Sequence, residues 1–452
     1  MTTKKINFFE KIVYGSGDVG LNAGYTLFSA YVLYFYTDVI GMNPAIIGGI
    51  ILISKVFDGF SDMIAGYWVD THKTKRGHCI PILMKWSIPM VLSCSLVFLL
   101  PDANIVIRAI YVFITYNLFS TVFYTLVGLA HNALAAYVTD DSVARSQMLC
   151  YKMLFAAGTQ MTMANVILPL VNLLGGQQNQ FAWVKASLLF GVIGLVFMYL
   201  NVLVVKERVQ NDAPPENVFQ GIKVAIKNKY WWMTVAIQFC CSLQLMFNLT
   251  ISVYYLNSVI NNLGLMGTYV TLSNLPGVFL MFLIPLILHK VSKRNLAFLG
   301  TILCLIAQII FCLSPTSSVT MLFVTALIRG IGFAFIMGLV NAMTADTIEY
   351  GEWKTGIRVQ AVLFSAKSVS EKVGQGLLTA AFGFFLTMIG YDGLAKVQTS
   401  TTVGGIESFF KYVPIVVYII LIIVLLAYKL DKEFPGIIND LKDRKAAKAN
   451  SV

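Results

Sequence analysis

The sequence predicts an all-α membrane protein with twelve transmembrane helices in two six-helix halves, and three observations support this fold class. Of the 452 residues, 57% are hydrophobic and only 12% are charged, whereas an ordinary soluble domain has about 25% charged residues. Apolar runs of about 20 residues, the length that crosses a bilayer, recur along the whole chain. Basic residues gather at alternate connections between these runs, which is the asymmetry that orients membrane proteins.

We expect a polar connector to separate the two halves. The N-terminal half covers residues 1–205, the cytoplasmic connector 206–229, the C-terminal half 230–429 and a charged cytoplasmic tail 430–452. The predicted spans lie near residues 13–39, 45–69, 81–100, 105–136, 146–172 and 182–205, and then near 230–257, 265–289, 296–313, 319–345, 359–390 and 407–429.

The charge balance indicates orientation and surroundings. The formal net charge is +11, and in a membrane chain this excess reports basic cytoplasmic loops, not a nucleic-acid partner. We therefore expect both termini to be cytoplasmic in a multi-pass monomer of the cytoplasmic (inner) cell membrane, embedded in the lipid bilayer. The N-terminal stretch lacks the pattern of a cleaved signal peptide, so the first span is expected to remain as an anchor.

No pattern in the sequence predicts an enzyme or a bound cofactor. The four histidines form no metal-ligand spacing and no P-loop is present, which argues against metal catalysis and direct ATP coupling. The seven cysteines show no C-x-x-C spacing, and we interpret them as free thiols. His131 lies inside a span, where packing is favoured over a role as a protonatable gate.

A short internal repeat indicates that the two halves are related. Asn132-Ala133-Leu134, followed by Thr139-Asp140-Asp141, recurs as Asn341-Ala342-Met343, followed by Asp346 and Glu349. Each copy closes the fourth span of its half. Parallel six-span repeats with a binding site between the halves are the organisation of major-facilitator transporters.

The second span carries charges where an apolar solvent is expected. A charge at the centre of a spanning helix costs about 2.5 to 3.5 kcal/mol on insertion scales, so such residues usually face a cavity or a partner. Asp58 and Asp62 are spaced i, i+4 and share a helix face. Two close carboxylates in a low dielectric need a cation or a shared proton, so the pair predicts a cation or proton site, to which Ser61 and Thr125 can add neutral oxygen ligands. The alternative is that Lys55 neutralises Asp58 while Asp62 ends the helix in interfacial water.

Asp18 on the first span is a third candidate acid. Glycines on both sides allow close backbone approach, and its carboxylate could accept hydrogen bonds from a hydroxyl-rich solute. Lys152 and Lys372 are the expected counter-charges, and Tyr25 is a candidate for sugar stacking. The alternatives are an interfacial Asp18 and a Lys152 that extends to the lipid headgroups.

The chain resembles the glycoside–pentoside–hexuronide:cation symporters, the melibiose permease family, over essentially its whole length. The most specific match is Asp346-Thr347-Ile348-Glu349-Tyr350-Gly351-Glu352-Trp353-Lys354-Thr355-Gly356-Ile357-Arg358. Further matches are Lys55-Val56-Phe57-Asp58-Gly59-Phe60-Ser61-Asp62, the YGSGD and YFYTD stretches of the first span, the block that ends at Arg145, and VKERV after the sixth span.

The resemblance implies roles for individual positions. Asp58 and Asp62 match the two cation-site acids, Thr125 matches a threonine ligand, and Ser61 stands where the sodium-using melibiose permease has asparagine. Asp18 matches a sugar-binding acid and Lys372 a conformationally coupled lysine, and Lys152 and Lys55 each occupy a position that is usually arginine. Charge pairs between the cytoplasmic loops are expected to latch the inward gate, with the gating network drawn from Lys55, Asp70, Arg145, Asp346, Tyr350, Glu352, Lys354 and Arg358.

The departures from the family pattern bear on specificity. Gly128 occupies the position of a second sugar-binding acid, and Arg76 replaces a loop tryptophan. Ala130-His131-Asn132 replaces a Pro-aromatic pair, and this makes Asn132 a candidate substrate residue. A pocket without the second acid is more positive, and we predict an acidic sugar such as a hexuronide. Because Ser61 stands in place of asparagine, one good sodium ligand is absent, and we slightly favour protons over sodium as the coupling ion.

The sequence therefore predicts a sugar or glycoside symporter that works by alternating access and is coupled to H⁺ or Na⁺. Three alternatives remain open. A lipid or drug carrier on the same scaffold would have an apolar cavity and little dependence on Asp18. A membrane enzyme would need a catalytic cluster, and a sensor would have lost transport.

Overall fold

The computed structural model describes residues 6–71, 74, 76–209, 223, 225–316, 318–357 and 361–449, and all of the regular structure in these residues is helical. The first six long helices are α1 (Phe8–Tyr34), which continues as a π-helical turn (Phe35–Val39), α2 (Pro44–Thr71), α3 (Ile80–Val97), α4 (Ile105–Val138), α5 (Ser142–Leu173) and α6 (Gln180–Val204). The next six are α7 (Lys229–Val259), α8 (Met266–Ile287), α9 (Lys293–Leu313), α10 (Val319–Thr355), α11 (Ala361–Met388) and α12 (Ser400–Ala427). The prediction of twelve spanning helices is thus confirmed.

Helix boundaries follow from local side-chain chemistry. The side chains of Asn104, Asp141 and Ser292 each accept a hydrogen bond from a backbone N–H in the first turn of α4, α5 and α9, which satisfies donors that have no partner inside the helix. Gly356 ends α10 with φ +75°, a left-handed conformation that glycine adopts without steric cost.

Ten of the spans are long and apolar enough to cross a membrane by composition alone. The other two long helices, α1 and α11, contain charged residues in their middle portions, including Asp18 on α1 and Glu371 and Lys372 on α11. Polar residues in spanning helices usually face a cavity. These two helices carry two of the predicted solute-binding residues, Asp18 and Lys372.

The described chain forms two compact units. The first contains residues 1–213, 248–271 and 375–407, and the second contains 214–247, 272–374 and 408–452. In the first unit α1 packs closely on α5 and α6, because glycines let the backbones approach: a Cβ on Gly20 would lie 2.8 Å from the carbonyl oxygen of Gly194. Small residues at helix contacts are the usual basis of packing in membranes.

The second unit contains the tail of the chain. The charged tail forms helix α13 (Leu430–Ala449), which packs on α10. The indole N–H of Trp353 donates a 3.0 Å hydrogen bond to Oδ2 of Asp440, and the guanidinium of Arg444 donates to the carbonyl of Trp353. The end of the family-like segment of α10 is therefore held by the tail helix.

Candidate functional site

Asp58 lies in a polar cluster inside the first unit. Its side chain is 3% exposed, and its Oδ1 accepts a 2.9 Å hydrogen bond from Oγ1 of Thr125 on α4. The ammonium of Lys55, one turn earlier on α2, lies 3.9 Å from Oδ2. The structure thus brings together three residues of the predicted cation site and gating network.

The local shape of α4 places Thr125 in this cluster. A π-helical turn, Leu118–Tyr124, ends immediately before Thr125, and such turns are frequent at functional sites because they change the direction of a side chain. Ser61 bridges the same two helices, since its hydroxyl lies 2.9 Å from the carbonyl of Thr121 and 3.0 Å from that of Asp58. Ser61 therefore lies beside the predicted cation site, and its hydroxyl is within hydrogen-bonding distance of two backbone carbonyl oxygens.

Three charged side chains of α2 lie within two helical turns of one another. Asp62 is half-buried one turn after Asp58, and Lys55, one turn before Asp58, is 6% exposed. Because taking a charge out of water is costly unless the charge is balanced, these side chains are candidates for a site that binds a cation.

Tyr25 lies nearer to the Asp58 cluster than the sequence predicts. Its ring stacks on Tyr124, with centroids 4.3 Å apart and planes 12° apart, and its hydroxyl hydrogen-bonds to Lys55. One face of the ring is therefore covered by protein.

Asp18 forms a second polar cluster in the first unit. Its side chain is 5% exposed and accepts a 3.0 Å hydrogen bond from the amide of Asn22. The ammonium of Lys152 on α5 lies 3.7 Å from Oδ1 of Asp18 and also donates to the side chain of Asn132. The predicted solute-site residues Asp18, Lys152 and Asn132 are thus neighbours, and Lys152 points at the acid.

Sequence reasoning did not identify two residues near Asp18, Asn22 and Asn201. Asn22 could have been found, because it lies four residues after Asp18 on the same helix face. His131, interpreted from the sequence as a packing residue, is fully buried with Nδ1 3.7 Å from Oδ1 of Asp18, and the amide nitrogen of Asn201 lies 3.3 Å from Nε2 of His131. These two come from α4 and α6, and their positions depend on the packing of the helices.

Lys372 belongs to the second unit, where it is half-buried on α11. The same helix carries further polar contacts. Glu371 accepts a 2.9 Å hydrogen bond from Gln238 on α7, and Lys367 donates to the side chain of Asn341 on α10. Polar side chains of this unit thus line one face of α11.

The predicted gating residues are distributed over both units. In the second unit Lys293 forms an ion pair with Asp346 at 2.6 Å. Tyr350 is buried, and the ammonium of Lys354 lies 5.7 Å from the centroid of its ring. Glu352 is half-buried. In the first unit the guanidinium of Arg145 donates to the carbonyl of Thr139 at 2.9 Å. The side chain of Asp70 and the whole of Arg358 lie outside the described residues.

The first unit contains a charged junction that the sequence analysis did not identify. Glu10 forms an ion pair with Arg208 at 2.8 Å. The carboxylate of Glu207 accepts hydrogen bonds from the backbone N–H groups of His78, Cys79 and Ile80 at 2.7 to 2.8 Å. The VKERV stretch therefore ties the end of α6 to the starts of α1 and α3.

Twelve long helices define a multi-pass membrane protein, and two of its buried carboxylates, Asp18 and Asp58, each lie beside a lysine of the same unit. The chain resembles solved transporter structures at the level of the fold. A bacterial homolog of the human lysosomal transporter Spinster superposes with a TM-score of 0.68 at 12% identity, covering 95% of this chain and 98% of that one. The nucleoside transporter NupG superposes with a TM-score of 0.64 at 12% identity, covering 93% of this chain and 100% of that one.

The chain belongs to the MFS/sugar transport protein family, whose model matches residues 13–432. Among similar proteins are the isoprimeverose transporter of Lactiplantibacillus pentosus, 26% identical with 97% of this chain and 92% of that protein covered, and the glucuronide carrier protein homolog of Escherichia coli (strain K12), 26% identical with 96% and 95% covered. Another, also from Escherichia coli (strain K12), is the inner membrane symporter YicJ, 25% identical with 95% and 93% covered. The resemblance to the glycoside–pentoside–hexuronide:cation symporters is confirmed.

Proposed function

We propose that this protein takes up a sugar or glycoside together with one monovalent cation, H⁺ or Na⁺, by alternating access. The observation that supports this most directly is the pairing of two separate buried acids with two lysines in one unit: Asp58 with Lys55, and Asp18 with Lys152. The Asp58 cluster would hold the cation and the Asp18 cluster the solute. Buried charges in spanning helices are costly and are usually functional.

The two sites have different chemistry. At Asp58 the ligand oxygens would come from the carboxylates of Asp58 and Asp62 and from the hydroxyls of Thr125 and Ser61, and hard cations bind such oxygens. At Asp18 the carboxylate and the amides of Asn22 and Asn132 offer donors and acceptors for sugar hydroxyls, and Lys152 offers a charge. We also propose Lys372 on α11 as a solute-binding residue.

We further propose an acidic sugar, such as a hexuronide, as the solute. Gly128, where the resemblance expects a second acid, leaves open space, since a Cβ there would meet nothing within 4 Å. Lys152 therefore faces only one acid in the cluster described around Asp18. A relative is named as a glucuronide carrier homolog, which agrees with this choice.

Coupling follows if each ligand improves the binding of the other. A cation on Asp58 and Asp62 would reduce the repulsion between the two carboxylates and so favour closure around the solute. Such reciprocal coupling typically amounts to about 1 to 3 kcal/mol. The six-helix halves 1–205 and 230–429 would move against each other about the connector 206–229. Both termini would face the cytoplasm, and on that side the gating network would be formed by Asp70, Arg145, Asp346, Tyr350, Glu352, Lys354 and Arg358.

Uptake into vesicles tests this proposal. Labelled isoprimeverose, a glucuronide and a neutral galactoside would each be supplied under a sodium gradient, a proton gradient or neither. We expect accumulation of the glucuronide under one of the gradients. Equal uptake of the neutral galactoside without competition from the glucuronide would contradict the acidic-sugar proposal, and no sugar accumulation under any gradient would favour a lipid or drug carrier.

A further inference from the structure

His131 is held in one orientation by reciprocal contacts with Tyr14. The hydroxyl of Tyr14 donates a 3.1 Å hydrogen bond to the carbonyl of His131, and the two rings stack with centroids 4.9 Å apart. Nε2 of His131 in turn lies 3.1 Å from the carbonyl oxygen of Tyr14. Because a carbonyl oxygen only accepts hydrogen bonds, this contact is favourable only when Nε2 carries a proton.

The other ring nitrogen faces Asp18. Nδ1 of His131 lies 3.7 Å from Oδ1 of Asp18, is inaccessible to solvent, and has no hydrogen-bond partner among the residues that the structure describes. A neutral ring with its proton on Nε2 presents a lone pair at Nδ1. The lone pair and an ionised carboxylate would then face each other in a low dielectric, which is unfavourable.

One proton resolves this conflict. If Nδ1 is protonated, an imidazolium faces a carboxylate across 3.7 Å, and if Asp18 is protonated, its O–H can point towards the lone pair of Nδ1. In either form every polar atom at the contact meets a complementary one. Two groups this close titrate as a pair, so the proton belongs to both.

We propose that Asp18 and His131 together bind one exchangeable proton, and that the solute site is therefore itself a proton site. It is separate from the Asp58 cluster, which involves α2 and α4 through different residues. The remaining charged or titratable groups around the pair are Lys152 from α5, 3.7 Å from Asp18, Tyr14 from α1, which stacks on His131, and Cys79 before α3, which lies near Tyr14. The neutral amides of Asn22 and Asn201 complete the surroundings.

The proton changes the charge that the site presents to a solute. Without it, Asp18 and Lys152 balance, and the site is neutral. With it, the site carries one net positive charge, which complements the single carboxylate of a hexuronide. Binding of proton and uronide would therefore favour each other by ordinary linkage. This consequence for the solute rests on the proposed function, whereas the proton site itself does not.

Nitrogen NMR tests the proton site without any solute. The chain has four histidines, so ¹⁵N-histidine protein in lipid nanodiscs gives few resonances, and His131→Gln identifies that of His131. Between about pH 5 and 8, the range in which histidine changes its charge, we expect Nδ1 of His131 to pass from a protonated form to a free one. Asp18→Asn should remove that transition, whereas Asp102→Asn, at an exposed acid paired with Arg108, should leave it unchanged.

Two results would overturn the proposal. One is a His131 resonance that keeps a free Nδ1 throughout the titration while ¹³C-labelled Asp18 stays ionised. The other is a transition that Asp18→Asn does not alter. Because no sugar is present, neither result depends on whether the protein transports one.

Proton entry tests the linkage to the solute. In sodium-free vesicles that contain a pH-sensitive dye, addition of p-nitrophenyl glucuronide should carry protons inward, and His131→Gln should lower the number of protons that enter with each glucuronide by about one, the single proton that the pair shares. An unchanged ratio would contradict the linkage. Absence of glucuronide entry into native vesicles would contradict the proposed acidic-sugar substrate and leave the NMR result standing.

Discussion

Oγ1 of Thr125 donates a 2.9 Å hydrogen bond to Oδ1 of Asp58, and this bond joins α4 to the only acid of α2 that is fully buried among the residues described there. The hydroxyl orients the carboxylate, and in the proposed cation site it would also offer its own oxygen to the cation. Because hydrogen bonds to charged groups contribute about 1.5 to 3 kcal/mol, this contact should influence both stability and cation affinity.

Replacing Thr125 by valine should weaken coupling-ion binding roughly tenfold or more, since about 1.4 kcal/mol corresponds to a factor of ten. The matched control is Thr125→Ser, which keeps the hydroxyl and should remain near the native affinity. The measurement is the ion concentration that gives half-maximal solute uptake. Equal half-maximal concentrations for the valine and serine variants would show that the hydroxyl takes no part in the cation site.

Gly17 allows the close approach that builds the Asp18 cluster. A Cβ at this position would lie 2.6 Å from Nε2 of His131 and would also overlap the amide of Asn201. Gly17→Ala should therefore destabilise the protein by about 1 to 3 kcal/mol and lower solute affinity.

Gly49 on α2 is the control for Gly17, because a Cβ there would meet nothing within 4 Å. Thermal unfolding in detergent should show a lower midpoint for Gly17→Ala and an equal or higher one for Gly49→Ala, since alanine favours helix over glycine. A native midpoint for Gly17→Ala would contradict the described packing of α1.

Glu207 should stabilise the start of α3. Its carboxylate accepts three backbone N–H groups, and Gly77, with φ +111°, leaves room for it, because a Cβ there would meet the Oε1 of Glu207 at 2.6 Å. Glu207→Ala removes all three hydrogen bonds and should lower the unfolding midpoint, whereas Glu207→Gln retains one acceptor oxygen and should lie between. Identical midpoints for alanine and glutamine would exclude this capping role.

The loop between α11 and α12 is attached to the end of α1 by Tyr391. Its hydroxyl donates a 2.6 Å hydrogen bond to Oδ1 of Asp38, while Thr37 donates to Oδ2 at 2.6 Å. Tyr391→Phe should therefore speed hydrogen exchange in residues 389–399, and Asp392→Asn, whose side chain still can accept from the backbone of Leu394, should not.

The pH dependence of this contact has a definite sign. Burial, and secondly the charge of Asp38, raise the pKa of Tyr391 above its ordinary value of 10.0. A raised pKa in the folded state means that the stabilisation is complete below about pH 10 and declines above it. Unchanged exchange in Tyr391→Phe at neutral pH would contradict the attachment.

Much of the fold could be predicted from the sequence, because the spans are set by length and hydropathy. The twelve helices follow the apolar runs, and Asp58 with Thr125 was expected from the resemblance and is seen as a hydrogen-bonded pair. Asp18 and Lys152 were likewise predicted as neighbours. These residues depend on position along a helix and on a family pattern, both of which are visible in the sequence.

The partners that come from helix packing could not be predicted. From the sequence, His131 was interpreted as a packing histidine. Its Nδ1 lies beside Asp18 because α1 approaches α4 closely, which Gly17 permits. Tyr25 was a candidate for sugar stacking, and its contacts with Tyr124 and Lys55 likewise depend on helix packing. The tail was expected to be charged and cytoplasmic. Its helix, which packs on α10 and contacts Trp353, was not predicted.

The most direct test of the account is gradient-driven glucuronide uptake by the native protein and by Asp58→Asn in the same vesicles. We expect the native protein to accumulate the solute under a sodium or a proton gradient. We expect Asp58→Asn to lose accumulation while exchange of solute across the membrane continues. Accumulation by Asp58→Asn at the native level would contradict the assignment of the coupling cation to the Asp58 cluster.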